Sequence, residues 1–373
     1  MTPVPLSILD LVPILSGGDA ATALHNTIAL AQHAERWGYR RYWIAEHHFV
    51  AVASAAPAVL IGQIAAATNT IRVGSAAVQL SHTTAAAVVE SFGMLDAFYP
   101  GRIDLGLGRS AQRRMTKPRS PRPPRPEPAR EWREVDGVVI PPPYDLRKLL
   151  GSGRVQATQA ILQQPEAVAP DFAEQLADIM AMLAGTYEVD GFDVHAVPGE
   201  GAALTPWIFG SSKGRSAQVA GARGLPFVAS YHLTPATALD AIDAYRDAFV
   251  PSAALPRPYV VVSADIVVAD DSDTAKHLAS SYGHWVYSIR AGGGAVPYPD
   301  PDECGPLTDE QLEVVIDRLA TQFVGNPDEV AERLETLQRA TGADELVITS
   351  VTHGHADRLR SHELIAKRWG LEG

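Results

Sequence analysis

Glu46, His47 and His48 stand directly behind the apolar run YWIA, so titratable side chains begin where packing side chains stop. An imidazole that titrates near neutrality can take or give a proton during a reaction. A histidine doublet beside a carboxylate also suits a divalent metal. No spaced set of His, Asp and Glu elsewhere in the chain completes such a site, so no metal is expected. A second group lies in GSSKGRS, Gly210–Ser216, which combines small residues, hydroxyls (Ser211 and Ser212 among them) and a helix start. Free N–H groups and the positive end of a helix dipole would attract an anion such as phosphate there. Arg109, in LGLGRS, would add a guanidinium. Taken singly, each has an ordinary structural explanation: a hydrogen-bonded histidine, an arginine in an ion pair, a serine capping a helix.

The elements that must hold these residues alternate regularly. Strands are expected at Leu6–Leu11, Arg41–Ala45, Ile71–Val78, Ile103–Leu107, Trp207–Phe209, Pro226–Ala229, Tyr259–Val268 and Glu345–Thr349. Helical spacing of apolar residues fills the intervals at Ala20–Trp37, Ser54–Thr68, Thr84–Phe98, Phe172–Leu183, Pro235–Phe249 and His355–Lys367, with another helix starting near Gly214. Gly38 and the Pro100-Gly101 pair supply helix stops. Eight parallel strands with helices between them predict a (β/α)8 TIM barrel, read as one domain over residues 1–373. A doubly wound sheet is the alternative, weakened because no G-x-G-x-x-G follows the first strand. His47 and His48, Ala76 and Ala77, Arg109, Ser211 and Ser212, His232, and His353 and His355 then all fall at C-terminal strand ends, where barrel enzymes build their sites.

Two segments interrupt the rhythm. Residues 111–143 are dense in Pro and Arg and are expected as an insertion that forms neither a packed helix nor a central strand. Residues 288–307, rich in Gly and Pro, form the second, and both are lid candidates on the C-terminal face. A net charge of −12 argues against nucleic-acid binding, and no apolar run is long enough to span a bilayer. The lone Cys304 excludes an internal disulfide. The opening MTPVPLSILD lacks a basic region followed by a long apolar core, so a signal peptide is not expected and the cytoplasm is the default compartment.

Several ordered motifs together resemble the bacterial luciferase-like flavin-dependent monooxygenases, in the branch that includes antibiotic-pathway enzymes. They are the EHH triplet Glu46–His48, the VGSAAV run Val73–Val78, the set Glu90, Asp96, Gly101 and Arg102, then Arg109, WIFGSS (Trp207–Ser212), GLPF (Gly224–Phe227), GHWVYS (Gly283–Ser288) and TGADELVIT (Thr341–Thr349). The resemblance implies a dimeric barrel enzyme that takes reduced FMN from a separate reductase and, with O2, oxygenates a hydrophobic substrate through a flavin hydroperoxide. It implies that His47 is catalytic and that the Ala76–Ala77 peptide is cis beneath the flavin ring. Arg109, Ser211 and Ser212 would hold the phosphate, and His48 and Trp285 would belong to the substrate cavity or its lid. A deazaflavin-dependent hydride-transfer enzyme on the same barrel, or a non-catalytic flavin-binding relative, are the competing readings. Neither the substrate nor its oxygenation outcome is legible in the sequence.

Overall fold

The computed structural model describes residues 3–109, 131–145, 153–164, 167 and 170–372. Eight strands close into a parallel barrel: β1 (Leu6–Asp10), β2 (Arg41–Ile44), β3 (Arg72–Ser75), β4 (Ile103–Gly108), β5 (Pro206–Gly210), β6 (Phe227–Ala229), β7 (Val260–Val268) and β8 (Glu345–Thr349). Pairing of β4 with β5, Leu107 opposite Ile208, completes the ring, and Leu6 opposite Leu346 joins its two ends. All eight strands lie where alternation and turn residues predict them.

Helices α1 (Ala20–Arg36), α2 (Pro57–Ala67) and α3 (Ala85–Phe98) follow the first three strands. The Asp19 side chain caps α1 by accepting from the Thr22 N–H at 2.8 Å, and Thr84 caps α3 through the Ala87 N–H at 3.1 Å. The predicted helix at Ser54 begins instead at Pro57, whose fixed φ and missing N–H suit a first helical turn. The motif residues Asp96, Gly101 and Arg102 lock these elements together. Asp96 accepts from the Gly101 and Ala203 N–H groups, each at 3.1 Å. Arg102 donates to the carbonyls of Ala65, Thr68 and Ile71 at the end of α2.

One expected strand is divided. Residues 71–78 do not run through; β3 stops at Ser75, the Ala76–Ala77 peptide is cis, and Val78–Gln79 resumes against Leu107 and Gly108. The Ser75 hydroxyl donates to the Gly106 carbonyl at 2.8 Å. A Cβ on Gly106 would lie 1.8 Å from the Ser75 carbonyl oxygen, so only glycine fits there.

The lumen is layered. At its N-terminal end Arg41 donates to Asp104 at 2.7 Å and to Glu345 at 3.1 Å, while Arg72 reaches Asp104 at 2.6 Å. Ser7 and Tyr259 also donate to Glu345, and the Trp43 indole N–H donates to Asp104 at 3.1 Å. Burial works against the charge on Arg41, but the two carboxylates more than offset it. Above this layer sit Leu9, Trp43, Ala45, Trp207, Val228, Val261 and Val347, with Phe209 and Ala76 packed against them.

Of the 111–143 insertion, residues 111–130 lie outside the described residues. Residues 133–140 form a hairpin, Arg133–Val135 with Val138–Ile140, turning through Asp136 and Gly137 at positive φ. It packs beside helix Pro327–Thr341, and the Tyr231 hydroxyl donates to the Val139 carbonyl at 2.8 Å. It is no central strand, yet Val138 and Ile140 are buried in the core, because this stretch lacks the prolines that precede it. The 288–307 segment is firmly attached along one stretch. Tyr298 is fully buried, its N–H donates to the Ile14 carbonyl, and its carbonyl accepts from Ser16.

Two predictions follow from burial. Arg41→Met removes the one cation shared by Asp104 and Glu345, and should cost about 3–5 kcal/mol of stability. Chemical denaturation checks this, and a loss under about 1 kcal/mol would show that the charged layer is dispensable. His362, on the helix His355–Trp369, is completely buried with no partner for either ring nitrogen, and burial pulls its pKa down from 6.5 to about 3. The unfolded chain binds that proton more readily. Its contribution to stability is therefore full above pH 6.5 and is lost as pH falls from there toward 3, at up to about 1.4 kcal/mol per pH unit. His362→Met should flatten the decline in denaturation midpoint between pH 6.5 and 5, whereas an unchanged slope would refute this assignment.

Candidate active site

The C-terminal mouth of the barrel gathers the polar residues, because the opposite end is filled by the Arg41 layer and the aromatic rings above it. Directly behind β2, the His47 N–H donates to the Ser54 carbonyl at 3.1 Å, which fixes the loop. The ring itself is exposed to the mouth, although protein surrounds it densely enough to behave electrostatically as an interior site. Desolvation there, with the His48 charge as a second contribution, draws the His47 pKa down to about 4. Water reaching the open mouth softens this shift, and exclusion of that water by a bound ligand strengthens it. His47 is therefore a neutral imidazole at neutral pH.

Glu46 organises its neighbours. One carboxylate oxygen holds the His48 Nε2 at 2.8 Å, and the other accepts from the Gln79 N–H at 3.0 Å. The Gln79 side chain donates in return to the Glu46 carbonyl at 2.7 Å. The loop behind β2 is thereby tied to the chain just beyond the cis Ala76–Ala77 peptide. His82 stands edge-on to His48, ring centres 5.9 Å apart.

Ala76 and Ala77 are half-buried, and a Cβ on Gly108 would meet the Ala77 Cβ at 3.2 Å. These three residues add little side-chain bulk at the ends of β3 and β4. Arg109 follows Gly108 at once and is exposed. Gly108 pairs with Phe209, so the adjacent β5 brings Ser211 and Ser212 to the same rim as Arg109. The Ser211 carbonyl is fixed by the hydroxyls of Thr234 and Thr237. Helix Arg215–Ala222 begins at Gly214, with no side chain capping its first N–H groups. Arg215 is engaged elsewhere, donating to Asp171 at 2.5 Å.

Across the mouth, His232 follows β6 and bonds Ser263 of β7, Nδ1 to Oγ at 2.5 Å. Arg318 donates to the Tyr282 hydroxyl at 2.5 Å and lies 3.9 Å from Asp265, whose carboxyl burial pushes up. The sequence placed His232 at a strand end but assigned it no role, and it passed over Ser263 and Asp265. Their signal was present: they are polar residues two apart in the otherwise apolar β7. Arg318 had no such signal, because an arginine on an amphipathic helix looks like surface.

Three segments meet at the rim beside His47. Phe49 takes a left-handed backbone, φ 58°, and its carbonyl accepts from Arg154 of helix Gly153–Leu162 at 2.8 Å. The Ala51 N–H donates to Ala295 at 2.9 Å. Trp285, predicted at the cavity, is instead 6% exposed and packs with Tyr282, Val286, Val351 and Tyr298, so it supports the 288–307 segment from beneath. A separate cavity of about 160 Å³, between the 133–140 hairpin and helix Pro327–Thr341, contains none of the expected site residues. No group of His, Cys, Asp and Glu suited to a metal occurs among the described residues.

Comparison with known proteins decides the family. The profile described as luciferase-like monooxygenase matches residues 4–135 and 161–345. The chain belongs to that family. It is 37% identical over 366 residues to an uncharacterized Bacillus subtilis protein, YvbT, covering 98% of this chain and 96% of that one. It is 33% identical over 370 residues to the luciferase-like monooxygenase of Escherichia coli K12, covering 97% and 96%. A further 108 residues, 29% of this chain and 32% of the relative, are 48% identical to the N-acetyl-S-alkylcysteine monooxygenase of Bacillus subtilis. Apo-MsnO8 superposes with a TM-score of 0.77 at 30% identity, covering 99% of both chains. The fold is also shared by an FMN complex of the 3,6-diketocamphane monooxygenase oxygenating constituent from Pseudomonas putida (TM-score 0.61, 19% identity, 98% of this chain and 97% of that one) and by an F420-dependent secondary alcohol dehydrogenase (0.59, 13%, 98% and 99%).

Glu46→Ala should free both His48 and Gln79 while leaving the barrel folded. The Gln79 amide should then exchange its hydrogen about tenfold faster or more, for a local loss of about 1–2 kcal/mol. Exchange measured by NMR or mass spectrometry decides it, and an unchanged rate would mean that Glu46 does not hold this loop.

Proposed function

We propose that this chain uses reduced FMN and dioxygen to oxygenate a hydrophobic organic substrate. One observation carries the reading: the small residues Ala76, Ala77 and Gly108 stand at the ends of adjacent strands, with His47 behind the neighbouring β2 and Arg109, Ser211 and Ser212 behind the paired β4 and β5. A flat ring system needs such small residues beneath it, and a phosphate tail needs such polar ones. Ala76, Ala77 and Gly108 would lie under the ring. Arg109, the two serines and the start of helix Arg215–Ala222 would offset the phosphate's charge of roughly −2. When bound, reduced FMN supplies the electrons with which dioxygen is activated.

The residues do the rest. His47, neutral at working pH, accepts a proton from the substrate or holds a hydrogen bond at the reacting atoms. Glu46 fixes the loop that carries it. The rim segments around Phe49, Ala295 and Arg154 restrict access of water, in which an activated oxygen species is lost unproductively. Val59 of α2 and Met94 and Phe98 of α3 expose apolar side chains on adjacent helices, which supports pairing with a second copy through that face. We take the enzyme to be cytoplasmic and supplied with reduced FMN by a separate flavin reductase; no described helix is long and apolar enough to cross a membrane. The N-acetyl-S-alkylcysteine relative makes such thioethers the first substrates to try.

Reduced FMN and reduced F420 are each added anaerobically to the protein, which is then mixed with oxygenated buffer. Binding of reduced FMN, followed by a long-lived absorbing species distinct from oxidised and reduced flavin, is the expected result. Binding of F420 alone, with no oxygen-dependent species, would assign the site to hydride transfer. His47→Ala should still bind reduced FMN but lower oxygenation by about 10²–10⁴-fold. Intact turnover in that variant would remove His47 from the chemistry.

A further inference from the structure

Ser263 Oγ lies between two partners, the Ala229 carbonyl at 3.3 Å and His232 Nδ1 at 2.5 Å. The carbonyl can only accept, so a Ser263 hydrogen placed on it makes Oγ the acceptor of a hydrogen bond from His232 Nδ1–H. That Nδ1–H tautomer is the premise of the inference. The backbone is held there too, the His232 main-chain N–H donating to the Ser263 carbonyl at 3.2 Å. Nε2 is left with a lone pair and makes no hydrogen bond among the described residues.

The surroundings keep it that way. Burial, the positive charge of Arg318 and then the proximity of His47 all draw the His232 pKa down, to about 3. His47 is itself neutral, so two uncharged imidazoles share the mouth, each within electrostatic reach of the other. A cationic donor, such as an ammonium group, would face Arg318 and be repelled. A neutral N–H or O–H would not.

We propose that His232 is a specificity-determining residue whose Nε2 accepts a hydrogen bond from a neutral amide N–H or hydroxyl of the substrate, orienting the substrate opposite His47. The inference rests on the reading that this mouth binds a small organic substrate beside reduced FMN. It adds the chemical class: a substrate with an uncharged hydrogen-bond donor close to the atom that is oxygenated. A site that accepts a hydrogen bond discriminates against an analogue lacking the donor, because the half-buried acceptor, covered by the bound analogue, is then left unpaired.

The test uses protein with histidine side chains labelled with ¹⁵N. In the wild type, His232 should show the Nδ1–H tautomer and an unprotonated Nε2 that does not titrate between pH 8 and about 5; the signal should vanish in His232→Gln. Three probes are then titrated into the FMN-loaded protein: N-acetyl-S-methyl-L-cysteine, its isostere with ester oxygen in place of the amide N–H, and the corresponding 2-hydroxy acid. The amide or the hydroxy acid should bind about tenfold more tightly than the ester and shift the His232 Nε2 resonance. Whichever of the two does so identifies the donor. His232→Phe should erase that preference, raising KM for the donor probe more than it lowers kcat, and His232→Gln, which restores an acceptor oxygen, should recover most of it. An Nε2–H tautomer, equal affinities for all three probes, or no binding by any of them to protein that binds reduced FMN and reacts with oxygen would overturn the proposal alone. Failure to bind reduced FMN at all would instead bring down the functional reading on which it rests.

Discussion

The sharing of Arg41 between Asp104 and Glu345 is the constraint on which the rest of the barrel depends. It joins β2, β4 and β8 across the lumen rather than around its wall, where the backbone ladder already joins neighbours. Its charges balance only together with Arg72, and its hydrogen-bonding capacity is filled by Ser7, Tyr259 and the Trp43 indole. The Arg41 guanidinium also lies 4.4 Å from the centre of the Trp207 ring. An arrangement so fully paired leaves no room for a ligand at that end. The whole lumen is thereby polarised: structural charge at the base, aromatic and aliphatic packing in the middle, polar and titratable side chains at the mouth.

Much of this was legible from the chain. Strands such as RYWI, IDLGLG and ELVIT are short apolar runs between helical segments, and their rhythm sufficed to count eight of them. The motif residues Asp96 and Arg102 were visible as a pattern, but their function was not. They prove to be clamps on loop and helix ends, which only the meeting of distant backbone atoms reveals. The break after Ser75 had no local signal, because Ala-Ala-Val-Gln does nothing to stop a strand; only the family resemblance pointed to the cis peptide found there. Trp285 was expected at the cavity or its lid, and a tryptophan near a Gly-rich segment gives no sign of which neighbour it meets; here it packs against Tyr298 of the 288–307 segment.

The mouth combines a rigid half with an assembled half. Glu46, Gln79 and the Ala76–Ala77 region are held by short strand-end connections, which suits a surface on which a cofactor must lie reproducibly. The other half is built from segments far apart in sequence: Arg154 reaches Phe49, and Ala295 pairs with Ala51. Such rims are where members of one fold diverge, since altering them leaves the strands untouched. His232 sits between the two halves, rooted in β6 yet facing the variable side.

Pairing of Leu6 with Leu346 has a consequence for how the molecule is made. The partner of β1 on one side emerges about 340 residues after it, roughly 20–70 s at ordinary rates of translation. Throughout that interval the nascent sheet carries an open edge of unpaired backbone groups, able to join any other exposed strand. The acceptor carboxylate of the Arg41 cluster, Glu345, arrives with the same late strand, leaving the arginine half-neutralised until then. Closure of the ring is therefore a late, long-range event, and the growing chain is a natural client for helpers that mask sheet edges on the ribosome.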